Sequence, residues 1–118
     1  MLKVHTKKLG ALEVLSLEGQ IVNGDTDLLR YTVQSICGAN RVILDLANVS
    51  VVDAHGLGVL LQLREQTLAK AARFELTNVS RALYRVFEIT RLNTVFEINS
   101  TVEHFPQITY AQSVLAAA

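Results

Sequence analysis

Val42, Ile43, Leu44, Asp45 and Leu46 follow Arg41 as a nearly continuous apolar run of strand length. Such a run, with little polar alternation, reads as a central strand covered on both faces, and strands of that kind belong to parallel sheets whose connections are helices. The next stretch meets that demand. The chain turns through Asn48 to His55 and enters a long helix in which Leu57, Leu60, Leu61 and Leu68 share a face. Phe74 to Thr77 then reads as another strand, so strand, crossover helix and strand make one right-handed unit.

The flanking segments extend this pattern. Leu2 to Lys8 and Leu12 to Glu18 lie on either side of Gly10, which predicts a hairpin closed by a glycine turn. Asn23, Gly24 and Asp25 read as a helix start, with Leu29, Val33, Ile36 and Cys37 on one apolar stripe and Gly38 as its stop. Ser80 with Arg81 opens a helix through about Thr90, and Thr94 to Ile98 reads as the last strand. Thr101 to Ala117 is expected to be a final helix, with Pro106 in its first turn or breaking it. The fold class is therefore α/β, a mixed, mostly parallel β-sheet with an N-terminal β-hairpin and helices packed on the sheet. A chain of 118 residues supports one ordinary core, and with no internal boundary visible, residues 1–118 are expected to form a single domain. Half the residues are hydrophobic and 19% charged, which excludes disorder.

Charge and residue usage remove several functions. Eleven Lys and Arg balance eleven Asp and Glu, leaving no global field for a polyanion. The densest basic stretch, Lys7 and Lys8, has no interleaved aromatics, so no nucleic-acid partner is expected. The single cysteine, Cys37, forms no internal disulfide or structural zinc site, as suits a reducing compartment. The amino terminus carries no apolar signal core, and no run approaches the ~18 apolar residues of a membrane span, so a cytoplasmic protein is expected. His5 and His104 lie far apart, no His, Cys and carboxylate set has metal-ligand spacing, and Gly56 and Gly58 lack the further glycine and lysine of a phosphate loop. No convergent acid, base and nucleophile are visible, so the expectation is a protein without cofactor, metal or catalysis.

The segment from Val42 to Ile98 resembles the STAS domains, the fold shared by anti-sigma factor antagonists and the cytoplasmic tails of sulfate transporters. The likeness rests on the strand ending in Asp45, the Asn48-Val49-Ser50 turn, the Asp53 to Gly58 loop, the leucine-rich helix and the Thr77-Asn78-Val79-Ser80 opening of the next helix. Phe87, Leu92 and Phe96 supply a closing pattern, and Leu17, Gly19 and Ile21 carry the likeness upstream to about Leu12. The resemblance implies a STAS-like fold and a bacterial anti-sigma factor antagonist, which regulates transcription by partner switching with a kinase-like anti-sigma factor.

At the central loop this sequence departs from that family. Antagonists carry Asp, Ser, Ser or Thr, Gly, Leu, Gly, and the second hydroxyl accepts phosphate from the partner kinase; here the loop reads Asp53, Ala54, His55, Gly56, Leu57, Gly58. His55 occupies the phosphoacceptor position and no phosphorylation is expected, because a site built to position a hydroxyl does not suit an imidazole. The resemblance implies Asp53, His55 and Gly56 as partner-binding residues. Read on their own chemistry, Asp53 is a helix N-cap and His55 a loop residue facing a partner. Gly56 and Gly58 either admit unusual backbone angles or a partner's close approach, or keep the helix start slim against a strand. Ser50 and Ser80 read as turn and N-cap residues in preference to phosphoacceptors, and Arg81 and Arg85 as a solvated pair able to meet an acidic partner. Two functions stand open: a non-enzymatic module binding a kinase-like anti-sigma factor or, alternatively, a structural STAS subunit of a stressosome-like scaffold or lipid-transport ABC complex, with self-association.

Overall fold

The computed structural model describes residues 1–102. In chain order its elements are β1 (Lys3–Leu9), β2 (Leu12–Ile21), α1 (Asp27–Gln34), β3 (Arg41–Val52), α2 (Ala54–Ala69) and β4 (Arg73–Thr77). These are followed by β5 (Val79–Ser80), α3 (Arg81–Ile89), a 3₁₀ turn (Leu92–Thr94), β6 (Glu97–Ile98) and β7 (Thr101–Val102). The main sheet has the order β1-β2-β3-β4-β6, with β1 antiparallel to β2 and every other neighbour parallel. Gly10 turns the hairpin at φ +64°, a left-handed conformation in which a side chain is strained. The expected α/β fold is the one observed.

Side-chain alternation decides where the core sits. Leu15 and Leu17 of β2, Val42, Leu44 and Leu46 of β3, and Phe74 and Leu76 of β4 point to one face, where they bury with Leu29 and Val33 of α1 and Leu60 and Leu63 of α2. Leu83 and Phe87 of α3 join the same core. Phe96 is tilted against both Phe74, at 6.4 Å between ring centroids, and Phe87, at 5.5 Å, which seats α3 on that face. Among the described residues the helices thus cover one face of β3, not two. Arg41, Ile43 and Asp45 lie half-buried on the other. The apolar run concealed an alternation, because within Val42 to Leu46 only Ile43 is an apolar residue turned to that second face.

The second face also holds a fully buried carboxylate. Glu75 accepts hydrogen bonds from Arg41 Nε at 2.7 Å, Arg41 Nη2 at 2.9 Å and the Asn99 side-chain amide, and Arg73 Nε lies 3.3 Å away. The Arg41 hydrogen bonds, against the cost of burial, hold its carboxyl below the ordinary carboxylate range, and Glu75 in turn raises Arg41. Burying a charge is tolerated here because the partners are complete.

Several boundaries differ from the sequence reading. The stretch from Asn48 to Val52 is strand, paired with β2 as far as Ile21↔Val52; β-branched Val49, Val51 and Val52 favour extension over a turn. The first helix starts after Thr26 instead of at Asn23, because Gly24 at φ +89° and the Asp25 N–H to Val22 O bond make a turn first. It ends at Gln34, so Cys37 lies beyond it and is exposed. In α2 the buried residues are Gly56, Leu57, Val59, Leu60, Leu63 and Thr67. Leu57 marks the edge of that stripe, and Leu68, eleven residues on and so about 20° around the axis, stays on the edge and is 43% exposed. Arg91 at φ 63° and the 3₁₀ turn take up the start of the expected last strand, leaving Glu97–Ile98. Thr101–Val102 pairs with β5 as a strand; the remainder of the expected final helix, with Pro106 and His104, lies outside the described residues. No helix among the described residues is long and apolar enough to cross a membrane.

Candidate functional site

The long helix α2 starts immediately where β3 ends, and Asp53 makes the junction. Its backbone is extended, with φ −92° and ψ −177°, and its Oδ1 accepts the Gly56 N–H at 2.7 Å, satisfying one of the first-turn donors a helix leaves open. Its Oδ2 accepts the Asn23 N–H at 3.0 Å, and its own N–H reaches Ile21 O at 3.3 Å. One side chain therefore ties the start of α2 to the β2–α1 turn. The Asn23 N–H, then the Gly56 N–H, favour the charged carboxylate and lower its pKa. Asp53 occupies the N-cap position expected of it; its bond to Asn23 is a contact that no local spacing encodes.

The next residues divide into those that face the protein and those that face outward. Gly56 is buried, and a Cβ placed on it would lie 1.9 Å from Ile21 O and 2.9 Å from the Ile21 carbonyl carbon. Its role is close approach of the helix start to β2, without any positive φ. Gly58 has nothing within 4 Å of the corresponding position and is exposed. His55 is exposed too, but as the second residue of α2 and not in a loop, because the helix begins as soon as Asp53 has capped it. With Ala54, His55 and Gly58 outward, the first turns of α2 offer a strip of small residues bearing one imidazole. No hydroxyl stands on it.

The remaining candidates are not gathered here. Ser80 caps α3 by accepting the Leu83 N–H at 3.1 Å, as expected of it, and Ser50 is an exposed strand residue with its hydroxyl 3.4 Å from Gly19 O. Asn78, in the left-handed region at φ 55°, donates its side-chain amide to Asp45 Oδ1 at 3.2 Å, while its own N–H reaches Ser100 Oγ at 3.0 Å. These bonds fasten the ends of β3 and β4 to the strand exit at Ser100. His5 pairs across the hairpin with Ser16. Among the described residues no group of His, Cys, Asp and Glu could hold a metal ion.

The family model for the STAS domain matches residues 3–105, and the chain belongs to that family. Its fold is similar to that of a candidate anti-sigma factor antagonist from Thermotoga maritima, at 19% identity over 96% of this chain and 94% of that one, with a TM-score of 0.74. An anti-sigma factor antagonist from Mycobacterium paratuberculosis is likewise similar, at 19% identity over 99% and 93%, with a TM-score of 0.70. A third structure, Mglu, is 23% identical over 61% of this chain with a TM-score of 0.57, and the chain spans 18% of that protein's length.

Proposed function

We propose that this STAS domain is a non-enzymatic interaction module of the cytoplasm that docks a kinase-like anti-sigma factor through the first turns of α2. The observation that carries the reading is the division of labour around Asp53. Asp53 and Gly56 hold the helix start against the β2–α1 turn and β2, which leaves Ala54, His55 and Gly58 exposed on a rigid base. A rigid base lowers the ordering cost of binding, and small residues let a partner's backbone come close. His55 stands where antagonists carry the phosphoacceptor, so the added charge that would break the complex cannot be placed there by a serine-directed kinase. The module is then a permanently competent partner. The same lack of hydroxyls favours a second reading, a structural STAS subunit of a scaffold or transport complex.

Capture of partners from the native cytosol with wild-type protein and a His55→Glu variant separates the two. Recovery of a kinase-like anti-sigma factor by wild type, lost with the glutamate, supports the first reading. Recovery of scaffold or transporter ATPase subunits by both proteins alike sinks it in favour of the second.

A further inference from the structure

We propose that the recess between the C-terminal ends of α1 and α2 is a binding site for a small, uncharged and mostly apolar molecule that carries one hydroxyl or carbonyl oxygen. The inference does not rest on the reading of the α2 start, because it concerns the other end of that helix. It starts from Thr67, which is 4% exposed and lies about 20 Å along α2 from Ala54 at 1.5 Å per residue. A threonine inside a helix can satisfy its hydroxyl on the carbonyl four residues back. Thr32 does so on Leu28 O at 2.7 Å, and Thr90 on Val86 O at 2.9 Å. The Thr67 hydroxyl makes no hydrogen bond among the described residues, although Leu63 O stands in the same relation to it. A buried hydroxyl without a partner costs stability, and this one belongs to a residue that lines a recess from which a partner can come.

The recess measures about 640 Å³, and the residues where the two helices end are too small to fill it: Gly38 and Ala39 follow α1, and Ala69 closes α2. With Val33 and Val42 they give a mainly apolar wall, the lining that small-molecule sites favour. The walls are held before anything binds. Lys70 Nζ donates to Gln34 O at 3.2 Å and to Ile36 O at 3.1 Å, and the Gln34 side-chain amide donates to Gln66 Oε1 at 3.1 Å. Behind them the Asn40 N–H reaches Ala11 O at 2.9 Å, and Asn40 O accepts the Arg73 N–H at 3.0 Å. Charge then decides the class of ligand. Lys70 is the single charged side chain among the described residues that line the recess, and its ammonium already serves two carbonyls at the end of α1. An anion would meet a cation committed elsewhere, and a cation would meet no carboxylate. Since an apolar cavity of about 150 Å³ holds one benzene ring, this recess has room for two or three rings with an oxygen placed at Thr67.

The probe is 2-naphthol, two rings and one hydroxyl, titrated into the isotope-labelled full chain and followed by amide chemical shifts, with naphthalene-2-sulfonate as the charged counterpart. 2-Naphthol is expected to bind with a Kd below about 1 mM and to move the amides of Ile36 to Ala39 and Thr67 to Ala72, while those of Ala54 to Gly58 stay in place. The sulfonate is expected to bind at least about tenfold more weakly. Thr67→Val keeps the shape of the side chain and removes the hydroxyl. It is expected to weaken 2-naphthol about threefold to tenfold and to melt no lower than wild type, because no bond within the protein is lost. Ala69→Trp, at an exposed position in the last turn of α2, fills the recess and is expected to abolish the shifts without lowering the melting temperature. No shift at ~1 mM, shifts centred on Ala54 to Gly58, or a sulfonate that binds as well as 2-naphthol overturns the proposal. So does a Thr67→Val protein that binds 2-naphthol as tightly as wild type, which assigns the hydroxyl to water, or one that melts lower, which assigns it to the fold.

Discussion

Adding one methyl group to Gly56 tests the seating of α2 more directly than any other change. In an ordinary helix interior, Gly→Ala stabilises by about 1 kcal/mol through backbone entropy. At Gly56 the new Cβ would stand 1.9 Å from Ile21 O, far inside contact distance, and the obstacle is backbone that no rotamer change can move aside. Ile21 is also fixed, since its carbonyl accepts the Asp53 N–H and its strand is laddered to β3 through Val52. Relief requires the first turn of α2 to lift from β2, which strains the Asp53 clamp and exposes part of Leu57 and Leu60. The overpacking cost, set against the entropic gain, leaves Gly56→Ala destabilised by about 2–4 kcal/mol. Gly58→Ala, in open space, should be stabilised by up to about 1 kcal/mol. Since each 1 kcal/mol is worth about 4 °C in a domain of this size, the two variants should melt some 10–20 °C apart. Urea unfolding followed by circular dichroism measures the difference, with an unchanged m-value showing that the same surface is exposed. A Gly56→Ala protein as stable as wild type would refute the seating of α2 on Ile21.

The acid limb of stability should report the two perturbed carboxylates. Both have folded pKa values below their unfolded ones, so each contributes stability above the ordinary carboxylate range of about 4 and loses it as pH falls through the folded value. In Asp53→Asn, the amide side chain still caps Gly56 but meets the Asn23 N–H donor to donor; its deficit in urea midpoint should be widest near neutrality and close in acid. Glu75→Gln, which takes from Arg41 its charged partner and leaves Arg73 only Glu97, should cost about 2 kcal/mol at neutral pH and likewise converge on wild type in acid. Phe87→Ala, emptying a fully buried ring site against Phe96, should cost about 3–5 kcal/mol in the same assay. His55→Ser should become a phosphate acceptor when incubated with ATP and the kinase-like partner proposed above, detected as a mass increase on the peptide holding residue 55; no increase counts against that partner.

The order of elements was legible because local signals agree with one another along most of the chain. The Gly10 hairpin, the Leu29 and Val33 stripe, the strand before Asn48 and the Ser80 cap each follow from residues close together in sequence. What went unread depends on distant partners. Asn48 to Val52 contains turn-favouring Asn48 and Ser50, yet the ladder to β2 extends it. Leu68 has the right period for the core, but the buried stripe is centred on Val59, Leu60 and Leu63 and leaves it outside. Arg41 and Asp45 mark β3 as two-sided only once Glu75 and Asn78 are known to meet them across the sheet. Polar residues inside an apolar run are thus ambiguous until their partners are found.

The site shows the same limit in a sharper form. From sequence, Gly56 and Gly58 are equivalent: both glycines near a helix start, both open to a structural or a contact role. The carbonyl of Ile21 separates them, and it is contributed by a residue more than thirty positions earlier in the chain. Gly56 is buried where α2 approaches Ile21, and the half-buried Asp53 makes two backbone bonds at the same junction. The outward positions here are Ala54, His55 and Gly58. His55 is exposed, while Asp53 and Gly56 carry the bonds and the close approach that seat α2, so on the reading proposed above a change at residue 55 alters the exposed surface and leaves the platform beneath it intact.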